Sequence, residues 1–415
     1  MYRLGSALRR AAPAARAPLR AAARPCSTHT PLSTFTEDQE VLREAVRKFA
    51  EERIAPLSKE IDEGHTGMPA ELIKDIFDQG FMGVEIDTDF GGSGMGFIDC
   101  LIVIEELARV DPGVAVMVDI HNTLINRCLD DYGTQAQKEK YLPKLATEMV
   151  SSFCISEPHS GSDAFALRTK AVEQPDGSFK INGSKCWISN AVDAGVFLVF
   201  ATVDSSLGYK GITAFLVDAG TPGLSIGKME DKLGIRASKT STISFDDLVV
   251  PRDHVLGEVG KGYKIAIESL NEGRIGIACQ MLGLAKGAYD MGLAYMRQRE
   301  QFGTMVYENQ GVKFQYAELA TEIEAAHLLV YNAAALKEAG KPFIKEAAMA
   351  KLYCGQVAEK AASLNVEWHG GVGFTKEYGA EKLFRDCKIG SIYEGTSNIQ
   401  KMTIARMVDR EWDAK

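Results

Sequence analysis

The chain has 415 residues, 46% hydrophobic and 25% charged, with a formal net charge of −9. That is enough apolar material for two or three domains with a large core, and no uninterrupted apolar run is long enough to span a membrane. Mean hydropathy is −0.10, which predicts a soluble protein.

The start of the chain differs from the rest. Residues 1–36 carry Arg3, Arg9, Arg10, Arg16, Arg20 and Arg24, many alanines, and no acid or lysine. Residues 1–30 are therefore read as a mitochondrial transit peptide, with a matrix location; a basic arm for nucleic acid or membrane is the alternative. Removing those six charges takes the net charge from −9 to about −15. So acidic a body argues against a nucleic-acid partner.

Residues 37–150 read as a helical domain. Thr36-Glu37-Asp38-Gln39 has the form of a capping box, followed by Val41, Leu42, Ala45, Val46 and Phe49 at helical spacing. Gly91-Gly92-Ser93-Gly94-Met95-Gly96 is read as a loop, since its spacing does not fit a dinucleotide fingerprint. Leu101 to Ala108 reads as a buried helix.

From 151 to 256 the period changes to that of strands. Asp176-Gly177 and Asn182-Gly183 are turn signals flanking Ser178 to Ile181. Val196–Val203, Gly211–Val217 and Thr242–Val250 are strand-like. Short strands with glycine turns suggest a small β-barrel or sandwich. From 261 to 415 the chain is helical again, with Tyr316, Leu319, Ile323, Ala326 and Val330 on one helix face.

The eight cysteines contain no CxxC pair and read as buried free thiols. The histidines show no metal-binding spacing, so no metal is expected.

Several segments have the chemistry of a ligand site. Ile392-Tyr393-Glu394-Gly395-Thr396-Ser397-Asn398-Ile399-Gln400 places one acid between an aromatic residue and a glycine that permits close backbone approach. Thr396 or Ser397 would cap a following helix. Phe153-Cys154-Ile155-Ser156-Glu157-Pro158-His159-Ser160-Gly161-Ser162-Asp163 is a loop of small polar residues after a short apolar strand. Lys185-Cys186-Trp187-Ile188-Ser189-Asn190 puts a tryptophan in a strand, where core packing is the ordinary role. Gly273, in Asn271-Glu272-Gly273-Arg274, costs a helix about 1 kcal/mol against alanine and so needs a reason.

These segments, in this order, resemble those of the acyl-CoA dehydrogenases, and the resemblance covers nearly everything after residue 37. It implies a mainly α fold with an N-terminal helical domain, a middle β-barrel and a C-terminal four-helix bundle. It implies FAD as cofactor, held by Phe153, Cys154, Ile155, Ser156, Ser162, Trp187, Ile188 and Ser189. Arg299 and Gln310 would take its phosphates and adenine end. Glu367, Trp368, His369, Gly370 and Gly371 would reach the FAD of a neighbouring subunit, and Thr396, Ser397 and Asn398 would also touch cofactor. Substrate contacts carried over are Ser162, Tyr209, Tyr263, Asn271, Glu272, Gly273 and Arg274, although Arg274 is read equally well as a structural ion-pair partner.

Glu394 is by the same resemblance the catalytic base. Branches that carry the base just before the arginine have an acid where this chain has Gly273. Glu272, one position off, points away by about 100° on a helix. The implied reaction is α,β-dehydrogenation of a short or branched acyl-CoA, such as 2-methylbutyryl-CoA, to a trans-2-enoyl-CoA. Electron-transferring flavoprotein is the implied electron acceptor and a homotetramer the implied assembly. A straight short-chain (butyryl-CoA) dehydrogenase and a catalytically silent acyl-CoA or flavin-binding assembly factor are the alternatives, the second disfavoured by the intact Glu394.

Overall fold

The computed structural model describes residues 34–415. The proposed transit segment lies outside the described residues.

The first layer is helical: α1 (Glu37–Phe49), α2 (Ala55–Gly64), α3 (Ala70–Asp78), α4 (Phe97–Ala108), α5 (Pro112–Asp119), α6 (Arg127–Tyr132) and α7 (Gln135–Thr147). Thr36 caps α1 through the expected capping box with Gln39. The buried helix expected from Leu101 is α4, ten of whose twelve residues are buried. A π-helical segment, Ile120–Asn126, joins α5 to α6. Such segments recur at functional sites.

The middle layer holds β1 (Val150–Cys154), β2 (Lys170–Glu173), β3 (Phe179–Ile188), β4 (Ala194–Thr202), β5 (Ile212–Asp218), β6 (Leu224–Met229), β7 (Ser241–Val250) and β8 (Val255–Leu256). Their order is β6-β7-β3-β2-β4-β5-β8, with β1 pairing parallel to β4. This is a sheet and not the closed barrel expected from the sequence. The edge strands β6 and β8 do not pair with each other. The two residues of β8 offer too short an edge for closure, and the middle of β6 stays exposed. Asn182-Gly183 is also not a turn. It is an irregularity inside the continuous strand β3, where Gly183 lies so close to Thr169 that a Cβ would come within 2.6 Å of its Oγ1. Asn182 Oδ1 accepts the Asp247 N–H across the strands.

The last layer holds α8 (Gly262–Met296), a two-residue hairpin β9–β10 (Glu300–Gln301, Thr304–Met305), α9 (Gln310–Glu338), α10 (Ile344–His369), α11 (Ala380–Cys387) and α12 (Ser397–Asp413). Helix α10 packs on α8, α9 and α12. Leu319, Ile323, Ala326 and Val330 are buried, as their spacing predicts. One apolar cluster joins α4, α8, α9 and α10, so the first and third layers share a core. The seven cysteines of the described residues are free and buried. Among the described residues no helix is long and apolar enough to cross a membrane.

Candidate active site

Glu394 lies in the turn between α11 and α12, with left-handed φ of 49°; Gly395 follows at 83°. A non-glycine residue in that region costs on the order of 1–3 kcal/mol, and such strain clusters at functional sites. The turn is held by side chains from below. Gln400 Nε2 donates to the carbonyls of Glu394 and Gly395, both at 2.9 Å, and Lys351 Nζ donates to the Gly395 carbonyl at 2.8 Å. Thr396 caps α12 by accepting the Ile399 N–H. Ser397 and Asn398 begin the helix.

The carboxyl of Glu394 points at α8. A Cβ on Gly273 would come within 3.3 Å of Glu394 Oε2 and 2.8 Å of Leu124 Cδ2. That close approach is the reason for glycine inside a helix. The residue keeps some exposed surface, yet Oε2 is buried without a hydrogen-bond partner. Burial pushes the Glu394 pKa up to about 7, and Arg274 and Lys351 hold it from rising further. The Glu394 main-chain N–H has no acceptor among the described residues.

Arg274 is buried and donates to Asn271 Oδ1 at 2.8 Å; its Nε is unpartnered. Among the described residues it forms no ion pair at contact distance, so its charge acts on Glu394 from further off. Glu272 turns the other way, as the helix geometry required. Its Oε2 forms an ion pair with Lys337 Nζ at 3.1 Å and faces Arg127 at 3.8 Å. Glu272 belongs to an ion-pair network that ties α8 to α6 and α9.

At the N-terminal end of α8, Tyr263 meets Tyr209 at 4.6 Å and Phe165 at 4.5 Å between ring centres. Sequence reasoning missed Phe165; the only signal was an aromatic residue in a loop of small polar ones. Ten residues of helix, about 15 Å, separate these rings from Gly273.

The second face of the site comes from the sheet. Trp187 is 66% exposed at φ 59°, beside a break in the β3–β7 register. The bulge turns the ring out of the core, which overrules ordinary packing for a strand tryptophan. Ile188 stays in the core behind it, and Ser152 Oγ donates to the Ser189 carbonyl at 2.7 Å. On β1 and just after it, Phe153 and Ile155 face one core while the Cys154 side chain is buried in the other, leaving Cys154 only its backbone to offer a ligand. Ser156 is partly exposed and Ser162 is exposed. An outturned aromatic ring beside a polar loop suits a flat, polar ring system such as that of FAD.

Arg299 and Gln310 are not brought to this place. They flank the hairpin beyond the far end of α8, which runs about 35 Å from Gly273 to Met296. Arg299 is exposed and without a carboxylate partner among the described residues, which suits a phosphate. Glu367, Gly370 and Gly371 are exposed at the far end of α10, about 27 Å along that helix from Lys351. Trp368 and His369 turn inward: Trp368 Nε1 donates to Gln315, and His369 stacks on Tyr295 at 4.3 Å.

Sequence reasoning also missed Lys351, Gln400 and Asp119. Asp119 is buried, accepts the Thr123 hydroxyl at 3.0 Å, and lies against Gly276 of α8.

A fold of helices, sheet and helices enclosing one near-neutral carboxyl defines a class in which a buried base meets a flat ligand. Residues 36–149, 152–248 and 260–408 match, in turn, the acyl-CoA dehydrogenase N-terminal, middle and C-terminal domains. The chain belongs to the acyl-CoA dehydrogenase family. It is 56% identical to a probable short/branched chain specific acyl-CoA dehydrogenase of Dictyostelium discoideum, over 92% of each chain. It is 55% identical to the mitochondrial short/branched chain specific acyl-CoA dehydrogenase of Bos taurus, over 92% of this chain and 88% of that one. The structure of butyryl-CoA dehydrogenase from Megasphaera elsdenii superposes with a TM-score of 0.88 at 38% identity, over 90% of this chain and 99% of the other.

Proposed function

We propose that this protein is an FAD-dependent oxidoreductase that dehydrogenates short or branched acyl-CoA esters, such as 2-methylbutyryl-CoA, to trans-2-enoyl-CoA. The observation that carries the reading is the Glu394 carboxyl, buried against Gly273 with a free Oε2 and a pKa of about 7. A general base works best when its pKa lies near the working pH.

Glu394 would take the α-proton of the thioester. The unpaired Glu394 N–H is this chain's own donor for the thioester carbonyl, where negative charge develops as the proton leaves. Leu124, whose Cδ2 lies 2.8 Å from where a Cβ on Gly273 would be, would stand beside the carboxyl on the α8 side. Tyr209, Tyr263 and Phe165 receive the CoA end. FAD, when bound, supplies the acceptor for the β-hydride. Trp187, Ser189 and the 153–162 loop would hold its ring, and Arg299 and Gln310 its phosphates and adenine end. Residues 35 Å apart in one chain suit a site completed by a second copy, so a homotetramer fits the arrangement. Electron-transferring flavoprotein is the proposed acceptor of the electrons. The acid-free N-terminus supports import into the mitochondrial matrix.

The test is anaerobic flavin bleaching with 2-methylbutyryl-, isobutyryl-, butyryl-, hexanoyl-, isovaleryl- and palmitoyl-CoA. Fastest bleaching by 2-methylbutyryl-CoA is expected and would point to isoleucine breakdown. Fastest bleaching by butyryl-CoA would move the protein to straight-chain oxidation. No bleaching by any ester, with FAD bound, would remove the proposed activity.

A further inference from the structure

The loop that joins β6 to β7, residues 230–240, ties the three layers together. It is closed at its neck, where the Glu230 N–H donates to the Thr240 carbonyl at 2.9 Å, and braced inside by Lys232 Nζ on the Ser238 carbonyl. Towards the N-terminal helices, the Ala237 carbonyl accepts the Met68 N–H at 3.0 Å. Towards α11, the Ile235 N–H donates to Asp386 Oδ1 at 2.5 Å, and Arg385 Nη1 donates to the Leu233 carbonyl at 3.0 Å.

Two features show that the contact with α11 is enforced. Ile235 has a φ of 45°, a left-handed backbone that a β-branched residue adopts only under strain and keeps only where its surroundings dictate it. Gly234 lies directly on α11. A Cβ there would fall 2.6 Å from the Arg385 carbonyl oxygen and 2.7 Å from Asp386 Cα.

Asp386 is itself fixed. It is fully buried, and its other oxygen accepts Lys382 Nζ at 2.6 Å. Lys382 reaches on to Asp111, the cap of α5, at 3.1 Å. Arg385, beside it in sequence, donates to both oxygens of Asp62 on α2, at 3.0 and 2.6 Å. Burying this much charge is costly, and none of these residues belongs to a segment proposed to hold substrate or flavin.

Each end of the contact leads through stiff backbone to one wall of the site. From Asp386, α11 runs into a 3₁₀ turn, Lys388–Ser391. The N–H groups of Ile392 and Tyr393 then donate to the Ile389 carbonyl at 2.8 and 3.1 Å, so a hydrogen-bonded path reaches the residue before Glu394. From Ile235, the loop enters β7, whose first residue, Ser241, pairs with Ile188, next to Trp187.

We infer that the bond from the Ile235 N–H to Asp386 sets the spacing between the base at Glu394 and the flavin wall at Trp187, which makes Asp386 a positioning residue for the reaction. This rests on the dehydrogenase reading and adds to it a residue that touches neither ligand.

The test is stopped-flow flavin reduction by the ester that bleaches wild type fastest, in wild type, Asp386→Ala, Asp386→Asn and Gly234→Ala. Each rate is taken per bound flavin, so that unfolded or flavin-free protein does not count. Binding of the matching trans-2-enoyl-CoA is read from the shift it causes in flavin absorbance. Asp386→Ala is expected to reduce its flavin on the order of 100-fold more slowly, the loss that a misplacement of about 1 Å can cause, with enoyl-CoA affinity little changed. Asp386→Asn keeps an oxygen for the Ile235 N–H and should reduce nearly as fast as wild type. Gly234→Ala pushes the loop off α11 without removing a charge and should be slowed as Asp386→Ala is; it takes the place of Asp386→Ala should that protein not retain FAD. Variants that lose stability yet reduce at the wild-type rate per flavin overturn the inference, because the bond would then serve folding alone. So does an Asp386→Asn protein as slow as the alanine variant, because charge rather than this bond would be at work. Wild type that bleaches with no ester sinks the dehydrogenase reading instead, a separate result.

Discussion

The carboxyl of Glu394 rests on the bare backbone of Gly273, across a gap that a single methyl group would close to 3.3 Å. The two residues are 121 positions apart, and each explains the other. The helix gives up about 1 kcal/mol of propensity at Gly273. The base gains a fixed seat.

Gly273→Ala should therefore slow flavin reduction while leaving FAD in place. The new methyl meets Leu124 Cδ2 at 2.8 Å, so either Leu124 or the carboxyl moves. A misplacement of about 1 Å at a reacting group can cost on the order of 100-fold. Stopped-flow reduction by butyryl-CoA reads the loss, and the flavin-to-protein absorbance ratio shows whether cofactor is retained. Reduction at the wild-type rate would mean that the seat is not needed.

Glu394→Gln should bind acyl-CoA and FAD but not reduce the flavin. It also separates two effects of pH. With a pKa raised from 4.5 to about 7, kcat/KM should climb as pH rises towards 7 and level off above it. Stability runs the other way. The folded state holds this proton between those values while the unfolded chain has released it, so stability falls as pH rises through that window. The penalty at pH 8 is about 3 kcal/mol at ~1.4 kcal/mol per unit. Glutamine carries no charge and escapes it. The Tm advantage of Glu394→Gln over wild type should be small near pH 5 and grow towards pH 8.

Lys351 is expected to act on the base through charge as well as through its bond to the Gly395 carbonyl. It lowers the pKa of Glu394, and its own is lowered to about 8 by burial. Lys351→Met should move the acid limb of the kcat/KM profile to higher pH, which loss of a purely structural bond would not do. A slower enzyme with an unmoved limb would reduce Lys351 to a prop for the turn.

The parts of this site legible in the sequence are those with local signatures. Glu394 stands beside a glycine and a capping threonine, and Gly273 interrupts a helix, whereas Trp187 is marked only by the Lys185-Cys186-Trp187-Ile188-Ser189-Asn190 segment that resembles the family. Lys351 and Asp119 had none, and Gln400, though at the end of the Ile392–Gln400 segment, carried no sign of its role. Each lies within a helical stretch, and its role depends on which turn of another helix it faces. The middle domain shows the same limit. Strand positions follow from residue type, but whether the sheet closes depends on the pairing of β6 and β8, which no local pattern encodes.

Lys185 and Glu157 form the last testable relationship. Lys185 Nζ is fully buried, 2.7 Å from Glu157 Oε1 and 3.0 Å from the Ile155 carbonyl. Glu157 also accepts the N–H groups of Arg168 at 2.7 Å and Thr169 at 3.1 Å. The pair thus pins the 153–163 loop to β3, two residues before Trp187, and aligns the two segments proposed to hold the flavin. Lys185→Met removes the cation and leaves a buried carboxylate, which costs about 3–5 kcal/mol. A lower Tm and weaker FAD retention are expected together. Lys185→Met with Glu157→Gln removes the stranded charge, so the double variant should recover much of the Tm. If it also recovers FAD, geometry rather than charge is what the loop requires. A single variant as stable and as yellow as wild type would show that the backbone bonds to Glu157 hold the loop alone.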